Sequence, residues 1–204
     1  MANVLRGGFH PIDGIRFKPQ IFTVASGYAP ANSNIGLARG EVVVLTTAGT
    51  IEICEAGDAD LILGVVTSVK FRGSDGSPVY GGVLPTGHTY SGAANVSNPL
   101  APVIEVCVDP DMQFFACVVT GTTNALAYAG VGANMDLSAT SATSTSSVYR
   151  ESLRTLDGTF VAATAQFRID DIVRGAWNDV TSASYQVKCS INEGFHSLYS
   201  PAGI

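Results

Sequence analysis

Gly40-Glu-Val-Val-Val-Leu-Thr-Thr-Ala-Gly-Thr-Ile-Glu-Ile-Cys54 is the stretch on which the reading of this chain turns. Two β-branched runs flank a short turn at Thr47-Ala48-Gly49. That order, apolar strand, small turn residues, apolar strand, predicts a β-hairpin. After an acidic turn at Glu55-Ala-Gly-Asp-Ala-Asp60 comes Leu61-Ile-Leu-Gly-Val-Val-Thr-Ser-Val69. It is apolar almost without interruption, the mark of a strand covered on both faces.

The same grammar continues outward. Residues 21–28 read as a first strand. Val103-Ile-Glu-Val-Cys-Val108 reads as another, and Asp109-Pro-Asp111 as a tight turn. Gln113-Phe-Phe-Ala-Cys-Val-Val119 is expected to pair back on it as a second hairpin arm. Gln166-Phe-Arg-Ile-Asp-Asp-Ile-Val-Arg174 begins in strict alternation, and the adjacent Asp170 and Asp171 break its phase, which predicts a β-bulge or kink. In Tyr185-Gln-Val-Lys-Cys-Ser-Ile191, Tyr185, Val187, Cys189 and Ile191 share one face, and Gln186, Lys188 and Ser190 the other. No helix–strand alternation and no internal repeat is present. The fold class expected is all-β: a small barrel or sandwich of about eight to ten short strands.

Between the strands lie segments of other character. Residues 1–20 hold Gly7, Gly8, Pro11, Gly14 and Pro19, which deny them a long helix and make an extended N-terminal arm. Its apolar residues Phe9, Ile12, Ile15 and Phe17 follow no helical period. Residues 76–104 carry no charge and read as short strands or long loops. Asn124-Ala-Leu-Ala-Tyr-Ala129 is a candidate short helix on its alanine content. Ser138-Ala-Thr-Ser-Ala-Thr-Ser-Thr-Ser-Ser147 is a low-complexity loop. The organisation expected is an arm at 1–20, a β-rich body at 21–196 with elaborated loops at 72–100 and 120–150, and a tail at 197–204.

Composition narrows the function. Of 204 residues, 46% are apolar and only 14% charged, against a usual charged share of about 25%. The apolar share excludes a disordered chain. With 17 acidic against 11 basic residues, a net charge of −6 argues against binding to nucleic-acid phosphates. So sparse a charge is expected of a surface covered in large part by other chains; the competing expectation is a neutral Ser/Thr/Gly surface that stays soluble by itself. The N-terminus has no apolar run fit for a signal peptide, and no stretch approaches the roughly 18 apolar residues of a membrane span, so no membrane partner is expected.

Chemistry-bearing motifs are few. Cys54, Cys107, Cys117 and Cys189 show no C-x-x-C spacing and sit in apolar runs, where cysteine behaves as a small buried hydrophobe. His10, His88 and His196 lie far apart and outside any metal-binding spacing. Asp58 and Asp60, like Asp109 and Asp111, form D-x-D pairs that lack the further carboxylates of a calcium loop. Asp170 and Asp171, as strand neighbours, reach one site only through a bulge. There is no G-x-S-x-G elbow. Gly73-Ser-Asp-Gly-Ser-Pro78 lacks the Lys-Ser/Thr ending of a phosphate loop. Asn95-Val-Ser97 matches a glycosylation sequon whose meaning depends on a secretory route. No catalytic residue, metal or cofactor is assigned.

Gly40-Glu-Val-Val-Val-Leu, Gly49-Thr-Ile-Glu-Ile, the acidic Gly-Asp turn and Ile62-Leu-Gly-Val-Val66 together resemble the small β-domain of tailed-bacteriophage head decoration (cement) proteins and related auxiliary capsid proteins. The segment 103–119, with Asp109-Pro-Asp111 before Phe114-Phe115, and the ending from Gln166-Phe-Arg-Ile to Val187-Lys-Cys-Ser-Ile-Asn192 are similar to segments of small phage structural proteins. The resemblance covers roughly residues 40–70, 100–120 and 160–196 and consists of strand-and-turn patterns. It implies a non-enzymatic virion protein on the outer surface of the capsid, made in the host cytoplasm. Its partners would be the major capsid protein and, in a homotrimer, itself. It would cement neighbouring capsid subunits against internal DNA pressure. The arm is the expected capsid contact, with Phe9, Ile12, Ile15 and Phe17 as anchors; the competing expectation is that the arm folds back on its own body or swaps onto a sister subunit. The alternative function is a host-glycan adhesion module stacking sugars on Tyr80, Tyr90 and Trp177. A third is a β-sandwich hydrolase, which would need a close, buried carboxylate pair in a cleft.

Overall fold

The computed structural model describes residues 8–12, 19–24, 37–56, 61–72, 77–84, 102–119, 130–138, 152, 154–160 and 165–198. Over these the chain is nearly all β, with antiparallel sheets stacked as in a sandwich and no closed barrel. The candidate helix at 124–129 and nearly all of the Ser/Thr-rich stretch lie outside the described residues.

The predicted hairpin is present as β4 (Val42–Leu45) and β5 (Ile51–Ile53). Its turn closes where the small residues stand: Thr46 N–H donates to the Thr50 carbonyl at 2.8 Å, and Gly49 N–H to the Thr46 carbonyl at 2.9 Å. Next comes β6 (Ile62–Arg72), the longest strand described. Along one side of β6 run β4 and then β7 (Pro78–Gly81); along the other runs β9 (Val103–Cys107), itself flanked by β2 (Gln20–Thr23). A separate two-stranded ribbon joins β3 (Leu37–Ala38) to β8 (Val83–Leu84).

The facing sheet is built on β10 (Gln113–Val119), β14 (Ser184–Ile191) and β13 (Phe167–Ile172), with β11 (Asn134–Met135) at one edge. The opposite edge, along β10, is filled by two short pieces: β1 (His10–Pro11) at Phe114 and Phe115, and β12 (Leu156–Asp157), parallel, at Val118 and Val119.

Alternation sorts side chains into two cores. Phe114, Ala116, Val118, Tyr185, Val187, Cys189 and Ile191 from the β10–β14 pair meet Val42, Val44, Ile62 and Val65 between the sheets. The residues of these strands that face the other way, Val43, Leu63, Val66 and Val69, fill a second core with Ile104, Val106, Leu37 and Leu84. This explains the apolar run at 61–66: both faces of β6 are buried over its first five residues.

The expected pairing of β9 with β10 does not occur. β9 stays with β6 and β2, and β10 crosses to the other sheet beside β14. The turn itself is real, with Asp109 Oδ1 accepting the Asp111 N–H at 3.0 Å and the Asp109 carbonyl accepting the Met112 N–H at 3.2 Å. Turn chemistry reports that the chain bends; it does not report whether the next strand returns beside the last or passes to the opposite layer.

At Gly64 the chain runs so close to β9 that a Cβ there would lie 1.9 Å from the Cys107 carbonyl oxygen. Gly64→Ala is therefore expected to destabilise the fold by about 3 kcal/mol or more, since backbone rather than a flexible side chain stands in the way. Gly194, with open space around it, supplies the control. Gly194→Ala is expected to change the urea midpoint little.

Candidate functional site

Three features stand outside ordinary core packing. The first is a buried polar junction between the sheets. Gly40 precedes β4 with φ of 84° and lies against Gly8, whose φ is 82°. A side chain at Gly40 would press on the backbone nitrogen of Phe9 at 3.1 Å, so glycine is required by both conformation and space. This close approach lets Phe9 N–H donate to the Gly40 carbonyl at 2.9 Å, and Gly8 N–H to the Arg154 carbonyl at 3.0 Å. Glu41, beside the glycine, is buried; Arg154 Nε donates to its Oε1 at 2.9 Å and Ser152 Oγ to its Oε2 at 2.7 Å. Arg154 Nη2 donates to the Cys54 carbonyl at 2.6 Å. Gln166 extends the network, donating to the Glu55 carbonyl at 3.2 Å and accepting the Leu137 N–H at 3.1 Å. Sequence reading missed Glu41, Ser152, Arg154 and Gln166 because no spacing links residues so far apart.

Of the expected capsid-contact residues, Phe9 is fully buried and stacks on Phe167 with ring centroids 4.7 Å apart. It is a core residue of its own chain, with no surface to offer a shell. Ile12 is half-buried, and its N–H donates to the Gln113 carbonyl at 2.9 Å. Residues 8–12 thus fold back on the body. Ile15 and Phe17 lie outside the described residues.

The second feature is the outer face of the β6 sheet, on which no strand among the described residues is stacked. In register, Tyr80 stands beside Lys70, Lys70 beside Val103, and Val103 beside Thr23; Ser68 stands beside Glu105, and Glu105 beside Ile21. The opposite face of these strands carries Val69, Ile104 and Phe22 into the second core. Ile21 is 63% exposed and Tyr80 73%. Lys70 and Glu105 form an ion pair between them, and β2 pairs with β9 alone save for one bridge, Val24 to Ile51, among the described residues. The result is a flat patch with two exposed large apolar side chains, a neutralised charge pair and an adjoining strand edge.

The third is a polar cleft of about 340 Å³ on the outer face of the other sheet. It depends on the predicted bulge, which shifts the β13–β14 register between Ile169 and Asp171. Ile169 and Ile172 both reach the inter-sheet core, and Asp170 and Asp171 are left on the outer side together. Asp170 accepts from Gln113 Nε2 at 3.1 Å and from Ser190 Oγ at 3.2 Å. Burial raises its pKa, while these two hydrogen bonds and the Arg168 charge oppose the rise. Asp171 lies 3.8 Å from Lys188. Asp111 and Glu193 stand at the cleft rim. The groups that act on Asp170 are two neutral donors and a guanidinium.

The remaining candidates are placed as follows. Cys54, Cys107, Cys117 and Cys189 are all buried thiols outside any disulfide; burial pushes Cys107 up to about 11 and Cys117 up to about 12. Tyr80 lies on β7 and Trp177, 56% exposed, in the turn after β13, so they belong to different sheets. Tyr90, His88, Asp58 and Asp60 lie outside the described residues. Among the described residues no group of His, Cys, Asp and Glu is arranged to hold a metal ion. His196 is fully buried, accepts the Leu198 N–H on Nδ1 at 3.1 Å, and is bridged to Ile62.

Two predictions follow from the buried polar groups. Removing one member of the Glu41–Arg154 pair leaves an uncompensated buried charge, so Arg154→Met is expected to cost about 3–5 kcal/mol. In a Glu41→Gln background the same change is expected to cost less, by about 0.5–3 kcal/mol, in a urea double-mutant cycle. His196 has its pKa lowered below 6.5 by burial, against the opposing charges of Asp109 and Asp111. The unfolded chain therefore binds the extra proton first. Stability should hold at neutral pH and fall as pH drops below about 6.5, until the lower folded value is passed. Urea midpoints between about pH 8 and 5 should show this slope, and His196→Gln should reduce it.

Comparison with family models, curated proteins and solved structures found no match to this chain.

Proposed function

We propose that this is a non-enzymatic virion structural protein that binds the outside of an assembled phage capsid and cements neighbouring subunits. The observation that carries the reading is the outer face of the β6 sheet, where Ile21 stands exposed on β2 at one side and Tyr80 on β7 at the other. Exposed apolar residues on a rigid sheet suit burial against a partner. The edge of β2, which among the described residues no strand pairs along Gln20–Thr23 on the side away from β9, suits main-chain pairing with an extended segment of one. The low overall charge supports the same reading. The contact moves from Phe9 to this face, with Ile15 and Phe17 kept as candidates from the arm.

The mechanism is linkage. A protein that binds only the assembled shell stabilises that state, by about 2.7 kcal/mol per site when free protein is at 100 times its dissociation constant. A homotrimer touching several capsid subunits gains further by effective concentration, so each contact can be weak.

The test is co-sedimentation with the cognate undecorated shells. Deleting the whole arm would remove Phe9 from the core, so the informative variant is the pair Ile21→Lys and Tyr80→Ala. It is expected to keep the wild-type melting temperature and to bind shells at least about tenfold more weakly. Unchanged binding, or purified particles whose mass spectra lack this polypeptide, would overturn the proposal.

A further inference from the structure

The cleft over the bulge offers a different kind of surface from the apolar face, and its chemistry is specific. Its floor is laid by three paired strands: Gln113 on β10, Ser190 on β14, and Arg168 and Asp170 on β13. Gln113 is in register with Ser190, and Ser190 with Arg168, so the groups form one row across the sheet. Two hydrogen bonds fix the Asp170 carboxylate over that row. Each carboxylate oxygen retains a second acceptor site. Asn192 at the rim donates to the Ala165 carbonyl at 3.1 Å, which fixes its amide and leaves the side-chain oxygen as an acceptor. Arg168 is exposed and supplies several N–H donors in a fixed fork.

The mix of donors and acceptors decides what class of ligand such a site can take. Asp111, Asp170 and Glu193 outnumber Arg168 and oppose an anion. An ammonium or guanidinium group only donates, so it leaves the Arg168 N–H groups without an acceptor. A neutral polyol serves both kinds of group, because each hydroxyl both donates and accepts. At about 340 Å³ the cleft is at the small end of the range for ligand sites, about 300–1,000 Å³. That is room for a single sugar ring rather than a long oligosaccharide.

From the Gln113–Ser190–Arg168 row and the carboxylate fixed above it, we infer that the cleft is a binding site for a neutral sugar. The site stands apart from the apolar face and would act whether or not that face meets a shell. Its polar groups are held by sheet pairing and by each other before a ligand arrives, so little ordering is needed on binding.

The experiment is a ¹⁵N–¹H titration of the full chain with galactose, glucose and N-acetylglucosamine, alongside glucosamine and galacturonate. At least one neutral sugar is expected to give saturable shifts confined to the amides of Gln113, Arg168, Ser190, Asn192 and Glu193. Asp170→Asn is expected to weaken that binding at least about tenfold. Because Asp170 also bonds within the fold, Arg168→Ala, at an exposed position, is the second variant. It should weaken binding at an unchanged melting temperature. Absence of saturable shifts with every neutral sugar up to about 100 mM, an affinity too weak to matter, would overturn the inference. So would tighter binding of glucosamine or galacturonate than of any neutral sugar.

Discussion

The buried Glu41–Arg154 pair is the constraint on which the two-layer architecture rests. Glu41 enters β4 in one sheet, and Arg154 stands just before β12 in the other. Both are almost wholly removed from water, so each would be costly alone. The cost is offset because the carboxylate also takes the Ser152 hydroxyl and the guanidinium also reaches the Cys54 carbonyl. A hydrocarbon core would accept many relative positions of two flat sheets. This junction accepts few, because its bonds are directional and each unmet one is expensive. The glycine contact at Gly8 and Gly40 is part of the same arrangement, since a bulkier backbone there would hold Phe9 away from Phe167.

Much of the fold could be read from the residues, and particular residues show why. Val42, Ile51 and the small turn between them announced a hairpin, because strand propensity and turn chemistry are local. The alternation of Tyr185, Val187, Cys189 and Ile191 gave their common buried face. The doubled aspartate at 170–171 announced a break of phase, and the structure holds a bulge there. Partnership was harder. Asp109-Pro-Asp111 looks the same whether it closes a hairpin or carries the chain between layers. Ser152 and Arg154 lie in sequence with no strand pattern, and their partner Glu41 is more than a hundred residues away.

The candidate surfaces divide along the same line. Tyr80 is visible in the sequence as an isolated aromatic, but its place beside Lys70, and theirs beside Val103 and Thr23, comes from register across four strands. Ile21 carries no surface signal in the sequence, because a lone isoleucine in a strand is normally core. The apolar arm residues were visible from the start, yet Phe9 is internal: a Gly-Gly pair before an aromatic allows close docking as readily as it allows freedom. Asp170 entered as half of an acidic pair, and the bulge gives it neutral hydrogen-bond partners instead.

The way β10 is flanked has a consequence during synthesis. His10 pairs with Phe115, which is made 105 residues later, so at ordinary ribosomal rates the first strand waits on the order of 5–20 s for its mate. Leu156, which shares that border, arrives later still. Vectorial growth cannot complete this sheet from its N-terminal side. The β4–β5 hairpin pairs residues close in sequence and can begin early, whereas the amino-terminal segment can dock only after the central strands exist. Its docking is therefore a closing step of maturation rather than an opening one.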